Sequence, residues 1–100
     1  MSRMNFYEVR FRARLADALA EGAVARLRAA LEGMPGISRA YGADHDHATH
    51  TVSGDFQVEV ARGMGAAARD SSRLAKEALK AAGMGDARLV ELFIALRQSP

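Results

Sequence analysis

The sequence predicts an α+β protein in which two helices pack against one face of a four-stranded antiparallel sheet. Asn5 to Leu15 and Thr51 to Val60 alternate apolar and polar side chains, and this period of two indicates strands with one buried face. Ala18 to Glu32 and Ala66 to Ala82 space their apolar residues by three or four positions, as amphipathic helices do. Each half of the chain therefore contains a strand followed by a helix.

In the first half, the strand is expected to bury every second side chain from Tyr7 to Leu15. Asp17 is predicted to cap the following helix, because its carboxylate can accept hydrogen bonds from the free amides of the first turn. Gly33 is expected to end that helix in the left-handed conformation, and Pro35 prevents its continuation. Gly83 is predicted to end the second helix in the same way.

Two less regular segments complete the sheet. Ile37 to Ala43 is predicted to be an edge strand with Ile37 and Tyr41 on its apolar side, and Gly42 to Ala48 is the expected hairpin tip. The last strand, Arg88 to Arg97, is expected to point four apolar side chains inward: Val90, Leu92, Ile94 and Leu96.

The order strand, helix, strand, strand, helix, strand allows two right-handed βαβ units to interleave. This is the ferredoxin-like arrangement, with the first and third strands side by side at the centre of the sheet. The 100 residues fit a single domain of this kind, spanning residues 1–100.

Composition narrows the class of protein. The hydrophobic fraction of 49% and the charged fraction of 26% are ordinary for a globular protein, and no apolar run is long enough for a membrane span. The first six residues do not resemble a signal peptide. The chain has no cysteine, which excludes disulfides and thiolate chemistry. A cytoplasmic location without membrane partners is therefore predicted.

Nucleic-acid binding is not predicted. The net charge is only +2, although twelve arginines accompany two lysines. RNA-recognition modules of similar architecture stack bases on exposed aromatic residues of the central strands. Here Asp55 occupies the position at which such modules carry a basic residue, and Phe56 belongs to the buried side of its strand.

The sheet face that the helices leave open is the expected binding surface. Phe6, Leu89 and Phe93 would be exposed there in a monomer, among charges that can pair between strands. This pattern favours a homodimer formed through the sheet face or an edge. The leading hypothesis is a non-catalytic domain that self-associates and binds an unidentified protein or small molecule through this face. The candidate binding residues are Phe6, Glu8, Arg10, Arg12, Gln57, Glu59, Glu91 and Phe93.

The predicted hairpin tip and the residues just after it are a second candidate site, because all three histidines lie within six residues there, beside two aspartates. Imidazole and carboxylate groups are ligands of zinc and other divalent metals. A tight turn would bring the histidines together, whereas strand alternation would send His47 and His50 to opposite faces. Metal binding and a solvated loop are the two interpretations. The candidate ligands are Asp44, His45, Asp46, His47 and His50.

A small enzyme or ligand carrier is the alternative function. No serine lies in a recognisable nucleophile motif, and Gly63-Met64-Gly65 carries only part of a phosphate-binding fingerprint. Met34-Pro35-Gly36-Ile37 resembles the Pro-Gly turn of small dimeric ferredoxin-like enzymes, such as antibiotic-biosynthesis monooxygenases and polyketide cyclases. The resemblance implies an organic substrate held between the sheet and the helices. It carries over no catalytic residue, and no cofactor is predicted.

Overall fold

The computed structural model describes residues 4–61 and 63–97 and contains the six predicted elements in the predicted order. The strands lie in the order β2-β3-β1-β4, and each neighbouring pair is antiparallel. The ferredoxin-like prediction is confirmed, with the first and third strands at the centre. None of the described helices is long and apolar enough to cross a membrane. The elements are β1 (Asn5–Arg14), α1 (Ala23–Gly33), β2 (Ile37–Asp46), β3 (Thr51–Val60), α2 (Met64–Ala81) and β4 (Arg88–Leu96).

The core lies between the sheet and the helix pair. Phe11 of β1 and Phe56 of β3 are fully buried there, with their ring centroids 6.2 Å apart. The alternating registers predicted for both central strands are confirmed on this side, since Val9 and Val58 are also buried. Each helix covers these side chains with leucines: Leu27 and Leu31 from α1, and Leu74 and Leu79 from α2.

The first helix begins later than predicted. Gly22, with a φ of 77°, immediately precedes it, and its carbonyl accepts the amide of Arg26 in the first turn. The predicted cap, Asp17, is therefore wrong and lies in the linker before the helix. Leu19 in this linker packs against the core. The apolar spacing that suggests helix from Ala18 thus includes a side chain that is buried from an irregular segment.

The two helices end differently. Gly83 has a φ of 83°, its amide donates to the carbonyl of Lys80, and the amide of Met84 donates to the carbonyl of Leu79 at 2.8 Å. These bonds form a Schellman motif, as predicted for the second helix. Gly33 is instead the last residue of α1, and the prediction of a left-handed Gly33 is wrong.

The left-handed glycine after the first helix is Gly36, whose φ is 99°. The amide of Ile37 donates to the carbonyl of Met34 at 3.2 Å. With Pro35 and Gly36 at its two central positions, this is the arrangement of a type II turn. The turn reverses the chain directly into β2.

The hairpin between β2 and β3 is tighter than predicted. Strand β2 continues to Asp46, so residues 47–50 alone form the turn, and His50 adopts a φ of 56°. The predicted edge position of β2 is confirmed. Asp46 stabilises the turn, because its carboxylate accepts the amide of Ala48 at 2.9 Å.

The register of β4 shifts where it passes the end of β1. Arg12 faces Glu91, but Ala13 faces Leu89, so Val90 is an additional residue in the ladder. Val90 is consequently exposed, whereas Leu89 packs against the core. This reverses the predicted orientation of both side chains. Leu92 and Ile94 pack inward as predicted, but Leu96 is half exposed.

Candidate functional site

A groove of about 570 Å³ lies on the face of the sheet that the helices leave open. Strand β1 forms its floor, and neighbouring strands supply its walls. The groove brings together five of the eight predicted binding residues and adds Val9, Tyr41, Asp55 and Ala95. Its lining residues are Glu8, Val9, Arg10, Arg12, Tyr41, Asp55, Glu91, Phe93 and Ala95.

Strand register explains how these side chains come together. Arg10 of β1 faces Asp55 of β3 on one side and Phe93 of β4 on the other. Arg12 likewise faces Glu91. Residues two apart on a strand share a face, so each pairing repeats along the same side of the sheet.

Tyr41 reaches the groove because β2 is bulged. Register shifts lie between Ile37 and Arg39 and between Ala40 and Gly42, which leaves Ser38 and Tyr41 as the additional residues. Sequence alternation places Tyr41 on the apolar side, and that prediction is wrong. Its ring instead lies over the open face, with the Arg39 guanidinium 5.8 Å from the ring centroid.

Glu8 is the centre of a hydrogen-bond network in the groove. The Tyr41 hydroxyl donates to Glu8 Oε1 at 3.1 Å, and Gln57 Nε2 lies 3.5 Å from the same oxygen. Arg97 Nε is 3.8 Å from that oxygen as well. The network therefore directs one phenol, one amide and one cation at a single carboxylate oxygen.

Gln57 anchors this network from below. It is 5% exposed, although it lies on the open face. Its Oε1 accepts the hydroxyl of Ser38 at 3.0 Å, and this bond directs its Nε2 towards Glu8 and the Tyr41 hydroxyl. A buried amide with partners on both ends keeps a fixed orientation, so Glu8 and Tyr41 are held in a defined geometry.

The pKa of Tyr41 is raised above its ordinary value. Desolvation of the hydroxyl is the main cause, and the hydrogen bond to Glu8 adds to it. Both causes oppose the charged phenolate form. The Tyr41 hydroxyl therefore keeps its proton at neutral pH and donates a hydrogen bond to Glu8.

The rest of the groove combines charge with an apolar wall. Arg10 Nε pairs with Asp55 Oδ1 at 2.7 Å, and Arg12 Nη1 lies 3.8 Å from Glu91 Oε2. The Asp55 interaction raises the pKa of Arg10, first through the hydrogen bond and then through its charge. Phe93 stands beside these pairs and is 64% exposed. A ligand in the groove would contact positively charged guanidinium groups, negatively charged carboxylates and the aromatic face of Phe93.

Three predicted binding residues lie outside the groove lining. Phe6 and Glu59 face each other at the far end of the same face, and Phe6 is half buried rather than exposed. Gln57 lies beneath the groove and acts through Glu8 and Tyr41. Tyr41 and Ser38 are the residues that sequence reasoning misses. The β2 bulges change the side on which Tyr41 lies, and the contact of Ser38 with Gln57 depends on the pairing of β2 with β3.

The structure places the hairpin histidines at different positions around the turn. Among the described residues, no group of three or more histidines and carboxylates is arranged to hold a metal ion. His45 pairs with Val52 and therefore lies on the helix side of β2, while His50 is the last residue of the turn. The rings of His45 and His47 instead pack edge to face, with centroids 4.2 Å apart.

The space between the sheet and the helices is small. At one end of this layer, the linker before α1 and the turn after α2 enclose about 100 Å³. Leu15, Leu19, Ala23 and Met84 contribute to its lining. Sites for organic ligands usually measure roughly 300 to 1,000 Å³. The open-face groove has that size, whereas the sheet-helix space expected from the Pro-Gly turn does not.

Comparison with known proteins finds similarity at the level of the structure. No family model matches the chain, and no curated protein matches it. The fold is similar to the crystal structure of a "putative Antibiotic biosynthesis monooxygenase" from Chloroflexus aurantiacus J-10-fl. The similarity covers 95% of this chain and 95% of that chain, with a TM-score of 0.55 and 14% sequence identity. At this identity the likeness shows the shared fold.

The comparison corrects the leading functional hypothesis. The structural relative is named as an enzyme, and it shares the arrangement of nearly the whole chain. The finding favours the alternative, a small ferredoxin-like enzyme, over a non-catalytic binding domain. The sequence misleads here because mixed charge and exposed apolar side chains are expected both of a protein-docking face and of a substrate groove.

Proposed function

We propose that this protein is a small enzyme of the monooxygenase-like or cyclase-like class that binds an organic substrate in the open-face groove. The single observation that carries the proposal is the convergence of Tyr41, Gln57 and Arg97 on Glu8 Oε1 inside that groove. A surface carboxylate without a chemical role does not require three polar partners at one oxygen. A carboxylate that accepts a proton from a substrate must be held at a defined position.

Glu8 is the proposed general base. Its side chain is 39% exposed, so its second oxygen can meet a ligand while Oε1 is held by its partners. Tyr41 and Arg97 hold the carboxylate in one orientation, because the Tyr41 hydroxyl donates to Oε1 and the Arg97 guanidinium lies beside the same oxygen. Removal of a proton from a phenol or an activated carbon begins both ring-closing condensations and oxygenations of electron-rich rings. The groove supports that first step.

The groove also indicates what kind of substrate it binds. Phe93 presents an exposed aromatic face, which suits stacking against a planar ring. Arg10 and Arg12 line the same groove and can stabilise the oxyanion that forms when Glu8 removes a proton. Their ion pairs with Asp55 of β3 and Glu91 of β4 tie both guanidinium groups to carboxylates on the neighbouring strands. A planar, hydroxylated organic molecule satisfies both features.

The experiment is a turnover assay with a panel of hydroxylated naphthalenes and anthrones, followed by oxygen uptake and product mass spectrometry. We expect Glu8→Gln to lower kcat/KM by about 100-fold or more, the range for loss of a general base. Glu59→Gln is the matched control, because Glu59 is an exposed carboxylate on the same face outside the groove. If no compound is converted, or if both variants are equally active, the proposal fails.

We also propose that the enzyme is a cytoplasmic homodimer. The exposed Phe93 supports self-association through the sheet face, and the chain has no cysteine that would need an oxidising compartment. A second copy on this face would cover the groove and exclude water from bound substrate. Exclusion of water strengthens the charge interactions that stabilise an oxyanion.

A further inference from the structure

A row of four cations runs along the exposed side of α2, on the opposite side of the molecule from the groove. Arg69, Arg73, Lys76 and Lys80 follow one another at spacings of four, three and four residues, and all four are exposed. At about 100° per residue, these spacings place the four side chains within an arc of roughly 60° and over a length of roughly 16 Å. The row is therefore straight and parallel to the helix axis.

The row is poorly neutralised by the protein itself. Cations three or four residues apart on a helix repel each other. Among the described residues, Arg73 alone in this row has an acidic partner within ion-pair distance, Glu77 at 3.4 Å. The row carries four positive charges beside two carboxylates, Asp70 and Glu77, so a net positive charge remains and a partner that supplies a matching row of anions would relieve the repulsion.

A shallow groove lies beside the row. Ala68 and Ser72 are small, half-buried residues four positions apart, and they share a shallow groove of about 580 Å³ with the cations Arg69, Arg73 and Lys76. Small residues at this spacing let a second helix approach closely. A further groove of about 480 Å³ continues from Lys76 and Lys80 to Arg88 and extends the basic surface.

We propose that this side of α2 binds an acidic α-helix of a partner protein. Carboxylates on such a helix, repeated at spacings of three and four residues, match the cation row in both length and period. Asp70 and Glu77 lie next to the row, and a phosphate backbone would be repelled by them. A carboxylate helix can avoid these two positions by carrying lysine there. The observations therefore favour a protein helix over a nucleic acid.

The test uses a fluorescent, alanine-rich helical peptide of about 20 residues, long enough to be helical in water. Its glutamates recur at alternating spacings of four and three residues. A second peptide of identical composition distributes them around the helix, and a single-stranded oligonucleotide serves as the phosphate probe. Binding is measured by fluorescence anisotropy with the wild-type protein, with Arg69→Gln/Lys76→Gln and with Arg14→Gln/Arg28→Gln.

The second double variant is the matched control, because Arg14 and Arg28 are exposed and lie off the row, and both variants lose two positive charges. We expect the patterned peptide to bind about tenfold more tightly than the scrambled one, a difference set by charge matching. We expect that preference to vanish only in Arg69→Gln/Lys76→Gln. Equal binding of the two peptides, equal loss in both variants, or tighter binding of the oligonucleotide would each overturn the proposal.

Discussion

Gly54 of β3 lies directly opposite Phe11 of β1, and a Cβ atom at Gly54 would lie 2.5 Å from Cε1 of the Phe11 ring. The same atom would be 3.0 Å from a methyl carbon of Leu31 on α1. Glycine at this position therefore lets an aromatic ring cross the central strand pair and reach the helix layer. The glycine in the alternating pattern of β3 therefore leaves room for the Phe11 ring in the core.

We expect Gly54→Ala to destabilise the fold by about 1 to 3 kcal/mol, the usual cost of overpacking a filled core. Urea denaturation followed by circular dichroism measures the change. Gly42→Ala is the matched control, because Gly42 is also a strand glycine but has no atom within 4 Å of an added Cβ. Equal midpoints for the two variants would contradict the proposed packing role of Gly54.

The two helix-ending glycines should respond in opposite directions to alanine. Gly83 has a φ of 83°, so we expect Gly83→Ala to cost roughly 1 to 2 kcal/mol, the penalty of a left-handed non-glycine residue. Gly33 is helical, and Gly33→Ala should stabilise by up to roughly 1 kcal/mol through helix propensity. Thermal unfolding of both variants decides this. A stabilising Gly83→Ala would show that the Schellman motif is absent in solution.

The hairpin turn should depend on pH. Hydrogen bonds from the Thr49 side chain, and then from the Ala48 amide, hold the pKa of Asp46 below its ordinary value. A carboxyl group of this kind stabilises the fold above its ordinary pKa, and the contribution is lost as the pH falls through the lowered pKa. We therefore expect the Ala48 amide resonance to shift below about pH 4, where carboxylates begin to protonate. Asp46→Asn should abolish that shift, and a shift that persists in this variant would implicate another group.

Two substitutions can distinguish a homodimer formed through the sheet face from association through any exposed apolar residue. We expect light scattering to report a dimer for the wild type and a monomer for Phe93→Asp, because a carboxylate on the sheet face cannot be buried without a partner. Met64→Asp is the control, since Met64 is an exposed apolar residue at the start of α2. A monomeric wild type, or dissociation by both variants, would contradict assembly through the sheet face.

The architecture could be predicted because it depends on patterns that are local in the sequence. Alternation from Tyr7 to Leu15 and in Thr51 to Val60 fixes which side of each central strand is buried, and the helical spacing fixes which side of α2 packs on it. Element ends were predicted less well. Asp17 can form a cap, but in the structure Leu19 packs against the core from the linker and the helix begins at Ala23.

The site could be predicted only in part. Glu8, Arg10 and Arg12 follow from the regular register of β1, so their shared face was visible in the sequence. Tyr41 was not, because the first bulge of β2 adds one residue and reverses the sides of the residues that follow, until the second bulge restores the alternation. The bulges depend on pairing with β3, and no local pattern reports them. The same reason explains why Leu89 is packed and Val90 is exposed, the reverse of the prediction. Both lie in β4, the other edge strand, which also contains a bulge.

The central claim is that substrate binds on the open face, above Glu8, and not between the sheet and the helices. The most direct measurement is backbone NMR of the labelled protein during titration with a compound that the turnover assay identifies. We predict that amide shifts concentrate at Glu8, Arg10, Asp55 and Phe93. A concentration of shifts along the linker from Leu15 to Ala23 would place the ligand in the sheet-helix space and contradict the account.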